Sequence, residues 1–246
     1  MAFKLNPKFS RFFSTAYEIP ERYRNSFYLA NAAFFDHANW FLHRAYEVCF
    51  PKLVPELRDK DPRLTEMEAI KNVMNVIQLL DQCNSIIDVR FPIQRENGKK
   101  EIIRGFRAQH GLYSGFDTCL GGLRLKENIT RDHMKALSCI ATYKHSCMGI
   151  RLAGAQGGIK IDPKKYSAVE LQRIVKKYAA ELYSKGFCDG LTDVIEPDIN
   201  TGHQEMAWIA SIFPDNYGSN PSFLQQGLGR LGGALAKYLE NSGAIC

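Results

Sequence analysis

The order of helical and strand-like patterns along the 246-residue chain predicts an α/β fold. Apolar residues recur at three- and four-residue steps in several segments, two strand-like runs flank an Asn-Gly pair, and the C-terminal part combines a short strand, a glycine-rich turn and a helix. Elements in this order indicate one α/β domain of roughly 195 residues, followed by the opening βα unit of a second. With 45% hydrophobic and 24% charged residues, the chain can bury a core.

Two helices are predicted in the N-terminal part. Apolar residues at helical spacing cover residues 27–50, and this helix is expected to end before Pro51, because proline lacks the backbone N–H that an interior position donates. A second helix is expected to follow Thr65, whose hydroxyl suits an N-cap with Glu68 in the first turn, and to continue to Leu80.

A β-hairpin is predicted in the next part of the chain. Residues 86–93 and 101–108 have the composition of strands, and Asn97-Gly98 between them is a pair favoured where two successive residues need positive φ. These features together indicate two antiparallel strands joined by a short turn.

Two more helices are predicted after the hairpin. One covers residues 129–144, with Thr130 as its cap. The other covers residues 167–185, where Ser167 and Glu170 have the spacing of a capping box.

The last segment has the pattern of a nucleotide-binding turn. Residues 223–226 are predicted to form a short strand and residues 233–241 a helix, and Gly227, Gly229 and Gly232 between them have the GxGxxG spacing. This spacing is a weak indication alone, and the flanking strand and helix strengthen it. The sequence given stops before the acidic residue that would hold a ribose ~20 residues beyond such glycines, so the predicted unit is incomplete.

Charge and cysteine usage disfavour several functions. The net charge is +6, but the basic residues are scattered among acids, which disfavours nucleic-acid binding. The seven cysteines form no CxxC pair, and His145 with Cys147 lacks further ligands at suitable spacing, so no metal site is predicted. Because no stretch approaches ~18 uninterrupted apolar residues, no membrane span is predicted.

The first residues have the composition of a targeting segment. Residues 1–17 carry Lys4, Lys8 and Arg11 among aromatic and hydroxyl residues, and contain no acid. This composition predicts a mitochondrial presequence and a location in the mitochondrial matrix. The alternative interpretation is a frayed basic N-terminus.

Short motifs in a fixed order carry a resemblance to a known family. They are G-F-R-A-Q-H at 105–110, G-G-L-R at 121–124, T-Y-K at 142–144, G-A-Q-G-G-I-K-I-D-P at 154–163, E-P-D at 196–198, T-G at 201–202 and E-M-A-W-I at 205–209. In sequence and order they resemble motifs of the glutamate dehydrogenases, within the Glu/Leu/Phe/Val dehydrogenase family. Because several motifs occur in the same order as in the family, chance does not explain the similarity.

The resemblance implies a fold and a reaction. The fold is a three-layer α/β/α substrate domain of the amino-acid dehydrogenase type over residues 18–218, plus an incomplete Rossmann βα unit over residues 219–246. The family reaction is the NAD(P)-dependent oxidative deamination of L-glutamate to 2-oxoglutarate and ammonia, which needs cations for two carboxylates, a lysine of lowered pKa and a proton-transferring carboxylate.

Two of the implied site positions are retained. By the resemblance, Lys144 would contact a substrate carboxylate, and Asp198 would transfer protons to and from the amine. The structural alternatives are a solvated lysine at a helix end for Lys144, and a turn or cap residue for Asp198.

Two other positions are changed. Leu120 stands before Gly121 and Gly122 where the family has a lysine, so a hydrocarbon replaces the cation for the distal carboxylate. Gln156, twelve positions after Lys144, replaces the catalytic lysine. Glutamine has no proton that titrates near neutrality, and general acid–base or electrostatic roles are each worth roughly 10²–10⁴-fold, so this change is expected to cripple the reaction.

The sequence therefore predicts a catalytically impaired paralogue that acts as an assembly or regulatory subunit. Its partners would be further copies of itself or a full-length glutamate dehydrogenase, with contacts through apolar surface on the hairpin and on the helix over residues 27–50. The chain alone is expected to bind no NAD(P), with Gly227, Gly229 and Gly232 vestigial. Two alternatives stay open: a residually active enzyme that uses a partner's cofactor domain, and a structural component of a larger mitochondrial complex.

Overall fold

A computed structural model of the chain describes residue 19 and residues 21–24, 32–112 and 118–213. The chain divides into two compact units, Met1–Gln82 and Cys83–Cys246. The predicted presequence over residues 1–17 and the predicted βα unit over residues 219–246 lie outside the described residues, and both stay predictions.

The described part of the first unit contains three helices: α1 (Glu21–Arg24), α2 (Phe34–Lys60) and α3 (Glu66–Leu80). The predicted cap of α3 is confirmed: Thr65 Oγ1 accepts a hydrogen bond from Glu68 N at 3.3 Å, and Glu68 Oε2 accepts one from Thr65 N at 2.9 Å. This reciprocal pair satisfies two N–H groups that the helix start would otherwise leave without partners.

The sequence predicted a helix over residues 27–50, but α2 differs at both ends. It begins only at Phe34, after an extended Ala33, and it continues through Pro51 and Pro55 to Lys60. An interior proline costs roughly 3 kcal/mol, so the two prolines together cost roughly 6 kcal/mol, whereas burying one large apolar side chain contributes about 1.5–3 kcal/mol. Several such side chains on α2 pack against α3, and their combined burial outweighs the proline cost. They are Tyr46, Phe50 and Val54, with Leu57 at the edge of the same cluster.

The second unit begins with the predicted hairpin, which is confirmed as β1 (Ser85–Gln94) and β2 (Lys100–His110) in antiparallel register. The expected turn conformation is wrong at one residue. Gly98 has a φ of +80°, but Asn97 does not share the positive φ; its Oδ1 instead accepts a hydrogen bond from Lys99 N at 3.0 Å. The reason is loop length, since five residues separate paired Gln94 and Lys100, and only the two-residue I′ turn needs two positive φ values.

The remaining described elements include three more strands, which give the described part of the chain a five-stranded sheet. They are β3 (Cys119–Leu125), α4 (Arg131–Cys147), β4 (Ala153–Ile159), α5 (Ala168–Ser184), β5 (Asp193–Pro197) and α6 (His203–Ala210). The strand order is β1-β2-β4-β3-β5, with β3 parallel to both β4 and β5 and β2 antiparallel to β1 and β4. The predicted caps of α4 and α5 are confirmed: Thr130 and Ser167 each accept a backbone N–H, and Ser167 forms its capping box with Glu170.

Helices cover both faces of the sheet. Successive side chains of β2 alternate between the faces. Phe106 packs in a cluster with Met134 of α4, whereas Ile103 packs in a larger cluster with Tyr178 of α5 and Ile209 of α6. This arrangement is the three-layer α/β/α architecture that the motifs implied, and the α/β prediction is confirmed.

Candidate functional site

The predicted site positions lie on the α4 side of the parallel strands. A Cβ built on Gly154 of β4 would approach Thr142 Oγ1 of α4 to 2.7 Å, so this side chain position faces α4. Because side chains alternate along a strand, Gln156 shares that face. Leu120, paired with Gly154 in the register of β3, lies on the same side.

Asp198, directly after β5, is the centre of the polar contacts on this face. Its Oδ2 accepts a hydrogen bond from Arg124 Nε at 2.5 Å and another from Gln156 Nε2 at 2.9 Å. The Arg124 and Asp198 side chains expose 26% and 24% of their surface, so both can reach a ligand as well as each other. Gln156 is buried, and its amide faces the same carboxylate oxygen as the guanidinium.

The turn that carries Asp198 is tied to the end of β3. Thr201 Oγ1 accepts a hydrogen bond from Asp198 N at 2.8 Å and donates one to Leu123 O at 2.7 Å. Asn200 has a φ of +59°, a conformation that asparagine tolerates better than most residues, and its Nδ2 donates to Leu125 O at 2.9 Å. These bonds fix the position of the carboxylate relative to the sheet.

The glycine pair of β3 is sterically required. A Cβ on Gly121 would lie 1.7 Å from Ala155 O of the neighbouring strand, and a Cβ on Gly122 would lie 2.6 Å from Asp198 Cβ. Gly122 therefore makes room for the Asp198 side chain. A role of Gly121 and Gly122 in substrate binding stays a prediction.

Arg107 supports the glycine pair from the opposite face of the sheet. Its guanidinium donates to Gly121 O at 3.1 Å, to Gly122 O at 3.0 Å and to both carboxylate oxygens of Asp193. Gln109 Nε2 donates to the same carboxylate at 2.9 Å. Burial disfavours the charged guanidinium, but the neighbouring carboxylate more than offsets this effect and raises the pKa of Arg107 above its ordinary value.

Lys144 is exposed in the last turn of α4. Among the described residues, its side chain makes no hydrogen bond or ion pair, with Gln156 and Asp198 included. Thr142, two residues earlier, anchors this turn to the sheet: its Oγ1 accepts from Gly154 N at 2.9 Å and donates to His110 O at 2.8 Å. Lys144 thus follows the helix turn that meets the first residues of β4.

The four predicted positions therefore form two groups along the strands. Gln156 and Asp198 are in direct contact. Leu120 and Lys144 lie at the opposite end of the parallel strands, where β3 and β4 begin and α4 ends. The structure places all four on the α4 side of the sheet, and their roles toward a substrate stay predictions.

Sequence reasoning assigned no role to Arg124 or Glu196, although both belong to the quoted motifs. Arg124 shares the odd–even parity of Leu120 and Gly122, which was a usable signal for its orientation. Glu196 pairs with Gly122 in the register of β3 and β5. Partial loss of hydration raises the pKa of Glu196, and the negative charge of Asp198 raises it further. The positive charges of His145 and Arg107 act in the opposite direction.

Nothing within the described ranges forms a metal site. No group of three or more His, Cys, Asp or Glu side chains is placed to hold an ion there, and His145 Nδ1 lies 3.2 Å from Leu152 O. No helix in the part of the chain that the structure describes is long and apolar enough to cross a membrane. The predicted cofactor-binding residues Gly227, Gly229 and Gly232 lie outside the described residues.

Comparison with known families and proteins adds to this geometry. Residues 83–214 match the family model described as Glu/Leu/Phe/Val dehydrogenase, dimerisation domain. This range includes all five strands and the contact between Gln156 and Asp198.

Three glutamate dehydrogenases are similar in sequence. The mitochondrial enzyme of Dictyostelium discoideum is 37% identical over 155 residues, covering 63% of this chain and 30% of the relative. The NADP-specific enzyme of Saccharolobus shibatae is 35% identical, covering 58% of this chain and 32% of the relative. The NAD-specific enzyme of Clostridioides difficile is 36% identical, covering 54% of this chain and 31% of the relative. The chain thus aligns with about a third of each relative's length.

A solved structure with the same fold is the hetero-hexameric glutamate dehydrogenase from Thermus thermophilus in its Leu-bound form. It is 28% identical to this chain, with a TM-score of 0.55, and the match covers 70% of this chain and 44% of that chain.

Proposed function

The chain belongs to the Glu/Leu/Phe/Val dehydrogenase family, and from this membership we propose that it is a glutamate dehydrogenase-like paralogue with impaired catalysis, acting as an assembly or regulatory subunit. The family reaction is the NAD(P)-dependent oxidative deamination of L-glutamate. Lys144 would bind a substrate carboxylate and Asp198 would transfer protons, while Gln156 and Leu120 replace the two lysines that the resemblance implies.

The contact between Gln156 and Asp198 carries the proposal. An amide donates a hydrogen bond to the carboxylate at 2.9 Å, where the resemblance places an ammonium group. The amide supplies no charge to stabilise an oxyanion and no proton to transfer near neutral pH. Arg124 already forms an ion pair with the same carboxylate oxygen, so Gln156 completes a contact that needs no ligand.

Leu120 weakens the site for a dicarboxylate. A charge-assisted hydrogen bond contributes roughly 1.5–3 kcal/mol, which a hydrocarbon side chain cannot replace. Leu120 is half-buried beside the register position of Gly154. A substrate carboxylate at this end of the strands would have Lys144 as its retained cation.

Relatives support the partner and the location. The Thermus thermophilus protein is hetero-hexameric, so non-identical chains can assemble in this family. The Dictyostelium discoideum relative is mitochondrial, in agreement with the predicted presequence. One of the relatives is NADP-specific and another is NAD-specific, so members of the family use either nucleotide. We propose a matrix location and co-assembly with a full-length glutamate dehydrogenase.

An assay of cofactor reduction tests the loss of catalysis. Purified chain with L-glutamate and either NAD⁺ or NADP⁺ should turn over at least roughly 100-fold more slowly than a full-length family enzyme, because the acid–base and electrostatic role of the lysine is missing. A wild-type rate within about tenfold of the full-length enzyme contradicts the proposal and favours the residually active alternative.

Thermal stabilisation by 2-oxoglutarate tests the role of Leu120. Wild-type protein should show little rise in the unfolding midpoint, because a ligand stabilises in proportion to the logarithm of its concentration over its Kd. Leu120→Lys should enlarge the rise. A large shift of the wild-type midpoint at sub-millimolar ligand would show that Lys144 and other groups suffice for binding.

A further inference from the structure

Strands β3 and β5 line a cleft on the α4 side of the sheet. Helix α4 packs mainly against β2 and β4, and α6 packs on the α5 side. Side chains that β3 and β5 present on the α4 side keep contact with water, since Leu120 and Val194 are half-buried and Glu196 is exposed. A ligand beside Asp198 would therefore also meet residues of β5 that precede it.

The Glu196 side chain projects into this cleft. Its neighbours on β5 face the other way, because Asp193 accepts hydrogen bonds from Arg107 and Ile195 belongs to the cluster that packs against α5. Successive side chains of a strand alternate between the faces, so Glu196 lies on the α4 side, as Asp198 does. Within the described ranges the Glu196 carboxylate makes no hydrogen bond or ion pair, so a ligand can reach it.

Asp198 lies directly beside Glu196. A Cβ built on Gly122 would be 2.6 Å from Asp198 Cβ and 3.0 Å from Asp198 Oδ2, so the Asp198 side chain fills the place of a side chain on Gly122. Glu196 is the register partner of Gly122, and neighbouring strands are about 5 Å apart. The two carboxylates therefore border the same part of the cleft.

The charges around these carboxylates do not balance. Arg124 forms an ion pair with Asp198, so one guanidinium compensates one carboxylate and Glu196 adds a second. Loss of hydration raises the pKa of Glu196 most and Asp198 raises it further, whereas His145 and Arg107 lower it. Because Arg107 is fully buried on the opposite face, a ligand in the cleft meets the Glu196 carboxylate and not that guanidinium.

The charges of a ligand decide how it interacts with Glu196. An ammonium group beside Asp198 would gain a second counter-charge from Glu196. A ligand carboxylate that Lys144 does not hold would lie near Glu196 or near the hydrocarbon of Leu120, and neither can compensate it. Like charges placed together oppose binding, so Glu196 disfavours a second carboxylate.

We propose that Glu196 is a specificity-determining residue of this cleft, where its carboxylate favours ligands with an ammonium group and a single carboxylate over dicarboxylic 2-oxo acids. The inference rests on the proposed function, which brings the ligand to Lys144 and Asp198. It adds a cause of weak 2-oxoglutarate binding that is independent of Leu120.

Three probes with the same carbon skeleton separate the two charge effects. L-Norvaline has an ammonium group and one carboxylate, 2-oxopentanoate has a keto group in place of the ammonium, and 2-oxoglutarate adds a second carboxylate to 2-oxopentanoate. Calorimetry measures their Kd values for the purified chain at about pH 8, well above the ordinary pKa of a glutamate carboxyl. Wild type should bind L-norvaline most tightly and 2-oxoglutarate least tightly, with Kd values that differ about tenfold or more.

Glu196→Gln removes the charge and keeps the size of the side chain. It should tighten 2-oxoglutarate binding about tenfold and weaken L-norvaline binding several-fold. Opposite changes for two ligands cannot result from a loss of fold. Glu196→Ala should tighten 2-oxoglutarate binding in the same way, because the missing charge and not the new amide is the cause. Glu96→Gln, at an exposed position of the hairpin loop, is the matched control and should leave all the Kd values unchanged.

Three outcomes overturn the proposal. If Glu196→Gln and wild type bind each probe equally, Glu196 does not set specificity, and the proposed function stands. If wild type binds 2-oxoglutarate more tightly than 2-oxopentanoate, both this inference and the proposed loss of a cation for the distal carboxylate are wrong. If wild type binds none of the probes at up to about 10 mM, the cleft is no ligand site and the inference is wrong. The assay of cofactor reduction then still decides whether catalysis is impaired.

Discussion

Two arginine–aspartate pairs lie on opposite sides of the sheet and differ in their access to water. Arg107 and Asp193 expose none of their side-chain surface, whereas Arg124 and Asp198 expose 26% and 24%. Arg107 also donates to Gly121 O, Gly122 O and Val194 O. A pair enclosed and fully bonded in this way holds strands together, whereas a partly exposed pair keeps polar atoms that a ligand can reach.

Replacing the aspartate of each pair by asparagine should give the largest difference in the free energy of unfolding among the variants considered. Asp193→Asn leaves a buried guanidinium without its counter-charge and should lower the free energy of unfolding by about 3–5 kcal/mol. Asp198→Asn, at the exposed pair, should change it by only about 0–1 kcal/mol. Urea denaturation of both variants measures the difference. Equal losses would show that the two pairs contribute alike to stability, against the comparison.

The glycines between the two pairs should give the next largest effect. Gly121→Ala places a Cβ 1.7 Å from Ala155 O, and because both groups belong to the backbone of adjacent strands, the strands must separate. We expect a loss of about 1–3 kcal/mol in the free energy of unfolding. Gly202→Ala is the control, since its added Cβ would meet nothing nearer than Glu205 Oε2 at 3.8 Å. A neutral Gly121→Ala would show that β3 and β4 can shift freely here.

A third ion pair, between Arg95 and Glu170, contributes to stability in a way that depends on pH, and Arg95 keeps Glu101 as a second partner when Glu170 is changed. Hydrogen bonds from Glu96 N, from the Arg95 guanidinium and from Ser167 N lower the pKa of Glu170 from 4.5 to about 2. The folded state thus favours the charged carboxylate. Its contribution to stability is present above pH 4.5 and is lost as pH falls from there toward about 2.

Glu170→Gln removes this pH dependence. The stability difference between wild type and variant should be constant above pH 5 and should narrow as pH falls through the window between the two pKa values. Chemical denaturation at several pH values measures it, with Glu66→Gln as the control at an exposed first-turn position of another helix. A difference that does not change with pH would show that Glu170 stabilises only through packing.

Much of the fold could be predicted because its signals are local. Thr65, Thr130 and Ser167 cap helices through hydrogen bonds to residues three positions away, so the sequence contains both partners of each bond. The hairpin was predicted for the same reason, although the conformation of Asn97 was wrong, because it depends on where the strands stop pairing. Strands β3 and β4 were quoted as motifs but were not identified as strands, since their glycines are required by neighbours distant in sequence.

The candidate site was predictable only in part. The motif order led to Lys144, Gln156 and Asp198. Strand alternation would have led to Arg124 only after residues 119–125 had been identified as a strand. No local pattern showed that Gln156 would donate to Asp198, because 42 positions separate them along the chain. The roles of Arg107 and Gln109 were also absent from the sequence argument, since their partner Asp193 is contributed by a strand at the edge of the sheet.

The sequence by itself determined the starts of α3, α4 and α5, the hairpin and the α/β class, because each depends on residues close in the chain. Only the tertiary structure decided that α2 would continue through Pro51 and that Arg107 would be enclosed while Arg124 stays accessible. The physical reason is that burial and charge pairing are set by whichever strands and helices come to lie side by side, and those neighbours are far apart in the sequence.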